Sequence, residues 1–242
     1  MRHAMRHFVA EFVGIFALVF VGGGAIMSGT AGGSGLLGVA VAHGLILAIM
    51  VTATMRISGH LNPAVTLGFL ATRRIEPIMA GVYIIAQLLG AMAAAYALKA
   101  LVPEQLFDAT RGGGQSVSSA ISTGQAIAIE AIATFFLVFA VFGTAVDPQA
   151  PKVGGFAIGL TIAADILAVG PLTGASMNPA RSFGPAVASG IFEGHLIYWI
   201  GPILGGVVAA VLYDYLFLPR SVEPVDHGAV RPAGPSPKVK AG

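Results

Sequence analysis

Two short stretches of this chain are near copies of each other, and each places a polar helix start deep in apolar sequence. One is Ile57-Ser58-Gly59-His60-Leu61-Asn62-Pro63-Ala64-Val65. The other is Thr173-Gly174-Ala175-Ser176-Met177-Asn178-Pro179-Ala180-Arg181. Asn is a preferred N-cap and Pro is favoured at the first helical position, so Asn62-Pro63-Ala64 and Asn178-Pro179-Ala180 each predict a helix beginning at the proline. The apolar run after each box ends near Ala71 and Ala188. About ten residues give roughly 15 Å of helix, half of a bilayer's hydrocarbon thickness. A helix that starts inside the membrane leaves bare N–H groups there, which need a polar lumen or buried protein partners.

The rest of the chain is built for lipid. Of 242 residues, 56% are hydrophobic and only 10% charged, with a mean hydropathy of +0.84. That charge fraction is far below the quarter usual for soluble domains. It marks an integral membrane protein and excludes a nucleic-acid partner. With no cysteine, disulfides, thiolate catalysis and thiol metal sites are excluded as well. The opening Met1-Arg2-His3-Ala4-Met5-Arg6-His7 resembles a signal n-region. The apolar run behind it lacks a small-residue cleavage site and is read as a span.

Six apolar segments fall near 8–28, 36–56, 78–100, 124–146, 153–170 and 195–218. The two short helices lie after the second and after the fifth, so the pattern of two spans, half-helix and one span occurs twice. Residues repeat with it: Glu11 and Phe16 match Glu130 and Phe135, Asn62 matches Asn178, and Tyr83 with Gly90 matches Tyr198 with Gly205, at offsets of 119, 116 and 115. An internal duplication of three-span units must enter the membrane from opposite sides, giving an inverted repeat. The predicted fold is therefore an all-α membrane protein of six transmembrane helices and two re-entrant half-helices. A cytoplasmic N-terminus (1–7) precedes the membrane domain (8–218, repeats about 8–100 and 124–218), and a disordered cytoplasmic tail (219–242) follows.

With both termini cytoplasmic, Arg2, Arg6, Arg56, Arg73, Arg74, Lys152, Arg220, Arg231, Lys238 and Lys240 lie inside, against Lys99 and Arg111 outside. This follows the positive-inside rule. The loop near 101–123 reads as long and flexible, with no chemistry assigned. Gly81, Gly90, Gly201, Gly205 and Gly206 predict close contacts between spans three and six. Gly22-Gly23-Gly24 lacks the spacing and strand of a phosphate loop.

The paired boxes, the Glu in spans one and four and the Met177-Asn178-Pro179-Ala180-Arg181-Ser182-Phe183-Gly184-Pro185 run together resemble the aquaporin (major intrinsic protein) family over roughly residues 8–218. The resemblance implies a homotetramer with one pore per subunit, no cofactor, no metal and no enzymatic activity. Its partners would be the lipid bilayer, water and small neutral solutes. It also implies a selectivity filter of His43, Ile166, Ala175 and Arg181, although His43 lies 19 residues before Asn62, one fewer than the family spacing. It makes Glu11 and Glu130 structural acids bonded to the pore loops.

Asn62 and Asn178 are expected to donate together to one water at the midplane, while carbonyls of Gly59, His60 and Leu61 and of Gly174, Ala175 and Ser176 face the lumen. His60 lines the inner mouth, where it could also act as a pH gate. Asp165, beside Ile166, is read as a buried acid anchoring a helix or loop, with a role in orienting His43 or Arg181 as the alternative.

The setting of His43 is similar to tonoplast and ammonia-permeable aquaporins. With Ile166 apolar, it implies passage of water and of ammonia or hydrogen peroxide, without protons or ions. Competing readings are a glycerol or urea facilitator, against which stand Ser182 after Arg181 and a filter without aromatics, and a coupled secondary transporter, which needs an ion-binding carboxylate at the midplane and for which Asp165, the only candidate, lies nearer the outer filter. The plasma membrane is the expected location.

Overall fold

A computed structural model describes residues 2–151 and 153–219. Nine α-helices are present among them: α1 (Arg2–Thr30), α2 (Gly35–Thr54), α3 (Pro63–Ala71), α4 (Pro77–Leu101), α5 (Glu104–Ala109), α6 (Thr123–Val141), α7 (Gly155–Thr173), α8 (Pro179–Ser189) and α9 (Ile197–Leu216). Six of these are long and apolar enough to cross a membrane, α6 with the π-helical turn Phe142–Val146 that extends it. No strand occurs among the described residues.

Local chemistry sets the helix ends. Asn62 caps α3 by accepting from the Ala64 N–H, and Asn178 caps α8 by accepting from Ala180 and Arg181. Ser122 and Gln125 close a capping box on α6. Left-handed Gly174 and Gly190 end α7 and α8.

Three differences from the sequence reading stand out. First, α1 starts at Arg2, so residues 2–7 are helix rather than a separate lead-in; no breaker interrupts them, and His7 bonds the Tyr83 hydroxyl of α4. Second, the 101–123 connection is structured. It contains α5 and a 3-10 turn at Arg111–Gly113, and buries Phe107, Gly112 and Gly113. Third, the glycines do not join spans three and six. Gly90 lies against Phe12 and Ile15 of α1, Gly201 and Gly205 lie against α6, Gly206 touches Ala64 of α3, and a Cβ at Gly81 would meet nothing within 4 Å among the described residues. Sequence spacing shows that a face is narrow but not which helix fills it. The expected tail falls outside the described residues from 220 onward.

The long helices pair as α1 with α4, α2 with α7 and α6 with α9. Each half-helix crosses to the other repeat: α3 packs on α9 and α8 packs on α4. Equivalent small residues allow it, Gly68 against Ala210 and Gly184 against Ala91. Arg74 and Asp214 form an ion pair (2.7 Å) on the face where α1 begins and α9 ends.

Candidate functional site

Two buried carboxylates build the centre. Glu11 of α1 accepts from the Gly59 and His60 N–H groups (both 2.9 Å), from the Leu61 N–H (2.7 Å) and from the Gln87 amide (2.7 Å). Glu130 of α6 does the same in the second repeat. It accepts from Ser176 (2.9 Å) and Met177 (2.8 Å) and from the Thr173 hydroxyl (2.8 Å). Hydroxyl links repeat too: His60 Nδ1 meets Thr66 Oγ (3.2 Å) where Ser176 Oγ meets Ser182 Oγ (2.5 Å).

Those bonds fix where the carbonyls point. The peptides are trans and planar, so a carbonyl opposes the N–H of the next residue. With the N–H groups of residues 59–61 turned to Glu11, the carbonyls of Ser58, Gly59 and His60 face away from it. In the second repeat the carbonyls of Ala175 and Ser176 likewise face away from Glu130. Leu61 differs from the expectation. It adopts a left-handed conformation (φ 49°), as does its counterpart Met177 (φ 54°), and so does Ala175 (φ 46°). Such residues carry strain of about 1–3 kcal/mol each, held by surrounding contacts.

The turn at Leu61 and Met177 redirects their carbonyls to the opposite box. Asn178 Nδ2 donates to Leu61 O (2.8 Å) and Asn62 Nδ2 donates to Met177 O (2.8 Å). The two amide groups are therefore not wholly free, as the sequence reading had them. Each spends one N–H on the other repeat and keeps one.

A cavity of about 240 Å³ opens on the face bearing Arg2, lined among others by Ser58, Gly59, His60, Phe69, Arg74 and Tyr83. A second, of about 10 Å³, continues from it along a shared wall of Val51, Gly59, His60, Val141 and Ile158, and reaches both Asn62 and Asn178. Leu47, Val65, Leu137 and Ile162 give it an apolar opposite wall.

Beyond the boxes lies a charged contact. His43 of α2 uses Nδ1 on the Val39 carbonyl (2.8 Å), which leaves Nε2 to accept from Arg181 Nε and Nη2 (both 3.2 Å). Arg181 Nη1 is buried with no partner among the described residues. Ile166 and Ala175 are buried as well, at 3% and 4% exposure.

Asp165 is half-buried on α7, and its Oδ2 has no partner among the described residues. His43 bonds Val39 and Arg181, and the Arg181 guanidinium bonds His43, so among the described residues neither is oriented by a hydrogen bond from Asp165. Sequence reasoning missed Gln115. The 101–123 connection lays its Cβ and Cγ against Gly174, and its Oε1 is buried and unpartnered. The three successive glycines at 112–114, which let the chain descend there, were the available signal.

Six spans with two half-helices, tied start to start by Asn62 donating to the Met177 carbonyl and Asn178 to the Leu61 carbonyl, define a channel-forming membrane protein. The chain belongs to the major intrinsic protein family, whose model matches residues 1–213. It is 40% identical to a probable aquaporin TIP3-2 of Arabidopsis thaliana over 96% of this chain and 91% of the relative. It is 43% identical to aquaporin TIP4-4 of Zea mays over 88% and 87%. The crystal structure of the aquaglyceroporin from Plasmodium falciparum superposes with a TM-score of 0.77 at 26% identity, over 88% of this chain and 96% of that one. The chain is accordingly a passive channel for water and small solutes.

Proposed function

We propose that the chain conducts water in single file, passes ammonia and hydrogen peroxide as well, and excludes protons and ions. The observation that carries this is the pair of Asn side chains, each locked by one N–H and each lining one cavity of about 10 Å³. That volume is close to one water molecule. Water there accepts from the remaining N–H of Asn62 and of Asn178, so its own hydrogens point outward along the pore in both directions. A proton relay needs a chain oriented one way, and the reversal interrupts it. The two half-helix N-termini add about half a positive charge each. For metal cations the cost of dehydration, idealised at about 20 kcal/mol, already suffices. The handedness of Leu61 and Met177 supports this reading, because it holds both amides at fixed angles.

At the constriction, His43 gives its acceptor nitrogen to Arg181, so a permeant entering there would meet the Arg181 Nη1 donor, which is buried with no partner among the described residues, and the apolar side chains of Ile166 and Ala175. Water, ammonia and peroxide can each accept one hydrogen bond there without needing a full polar ring. Glycerol is the second reading, favoured by the likeness to an aquaglyceroporin structure. Ser182, bonded to Ser176, stands against it, because it offers no carboxylate beside Arg181.

The assembly proposed is a homotetramer with both termini cytoplasmic in the plasma membrane. Surface labelling tests the location and light scattering the assembly. Function is tested in liposomes, by osmotic shrinkage and by ammonia-driven internal alkalinisation measured together. Water flux without proton leak supports the proposal. Saturable flux driven by a proton or sodium gradient refutes it.

A further inference from the structure

The glycine run in α1 has no role in the pore chemistry above, yet its first member touches the constriction. A Cβ built on Gly22 would lie 2.6 Å from His43 Cδ2 and 2.8 Å from Cε1, and closer still to Nε2. The other two glycines of the run have different neighbours. Gly23 faces Leu98 and the 101–123 connection, and Gly24 has only Leu98 at 4.0 Å. The imidazole has little freedom to retreat, because Val39 holds Nδ1 and Arg181 holds Nε2. We infer that Gly22 is a positioning residue for the constriction: the bare backbone of α1 is the seat on which the His43 ring rests, and it sets how far the ring and the Arg181 guanidinium stand from the lumen.

Any side chain at position 22 occupies the space of the imidazole tip. The ring must then rotate away from α1, and Nε2 leaves the Arg181 donors. Two guanidinium N–H groups lose their acceptor while the ring moves toward the path of the permeant. The residue acts only through His43, so its effect depends on His43 being present. Arg181 and His43 form the constriction only under the functional reading proposed above, and the inference rests on that reading for its consequence in transport. The packing relation itself does not.

The test is a double-mutant cycle of Gly22→Ala and His43→Ala in the full chain, with Gly24→Ala as a control on the same helix. In liposomes, Gly22→Ala is expected to lower water permeability per molecule about fivefold, the factor that one net hydrogen bond represents. In the His43→Ala background the same substitution is expected to change nothing, and Gly24→Ala nothing in either. Equal losses in both backgrounds would mean a general helix-packing defect and would overturn the inference, as would wild-type flux in Gly22→Ala with the His43–Arg181 contact retained. Alanine favours helix over glycine, so α1 itself is not weakened. If Gly22→Ala nonetheless fails to fold and the double variant folds, the clash with the ring is supported. A crystal structure of Gly22→Ala separates the two readings. A retained His43–Arg181 contact refutes the placement, whereas a broken contact with unchanged flux keeps the placement and removes the filter reading.

Discussion

Replacing Glu11 by Gln tests the strained loop most directly. The carboxylate accepts four hydrogen bonds, two on each oxygen, and is fully buried. A Gln side chain keeps one acceptor and turns the other position into a donor. If the amide oxygen stays with Gly59 and His60, the new NH2 faces the Leu61 N–H and the Gln87 NH2. Gln87 can adapt. Its Oε1 is buried without a partner, so turning its amide offers the new NH2 an acceptor at the expense of its bond to Thr66 (3.1 Å). The Leu61 N–H cannot adapt without unwinding its left-handed conformation.

One orphaned buried donor costs about 1–3 kcal/mol and the lost charge-assisted bond about 1.5–3 kcal/mol. A total near 3–5 kcal/mol is expected, a third or more of the stability of a typical domain. Thermal unfolding in detergent measures it, and removing the adapter with Gln87→Ala should make Glu11→Gln worse. If Leu61 gives up its turn instead, its carbonyl leaves Asn178, and proton exclusion weakens along with stability. A Glu11→Gln protein within about 1 kcal/mol of wild type, with unaltered proton leak, would refute the view that the four bonds accepted by Glu11 hold this loop in its strained form.

Ile166→His places a second imidazole at the proposed constriction and is expected to lower ammonia permeability about tenfold relative to water. Stopped-flow alkalinisation showing an unchanged ratio would count against the filter. Asp165→Asn replaces a carboxyl whose Oδ2 has no donor among the described residues and is expected to leave fluxes intact while raising stability by about 1 kcal/mol; a lower thermal midpoint would expose a partner for the acid. His195, in the turn before α9, accepts from the Trp199 indole (3.1 Å) through Nε2, and burial lowers its pKa from the ordinary 6.5. The unfolded chain takes up a proton first, so stability is full above pH 6.5 and falls as the pH drops toward the lowered value. His195→Gln is expected to flatten that decline in unfolding midpoints measured across pH 4–8.

What could be read from the sequence was what depends on local chemistry and on period. The helix starts at Pro63 and Pro179, the six apolar spans and the duplicated landmarks all follow from residue type and spacing. What escaped depends on which segments meet. Leu61 and Met177 carry no mark of a left-handed backbone; that geometry exists only because a carboxylate 50 or 47 residues away collects their N–H groups. The glycine contacts were assigned to the wrong partners, since a small residue shows a close approach and not its object. The 101–123 connection lacked periodicity, so neither α5 nor the seat of Gln115 on Gly174 was visible. Asp165 shows the reverse failure: its type and depth called for a partner, and the fold supplies none among the described residues.

The exchange of half-helices has a consequence for how the two halves of the chain depend on each other. Gly68 of α3 nests on α9, and Gly184 of α8 nests on α4. A polypeptide ending after α4 would hold a stub whose dock is missing and a dock whose stub is missing. Neither half is a self-sufficient folding unit, and the molecule is better understood as a handshake than as two modules on a string.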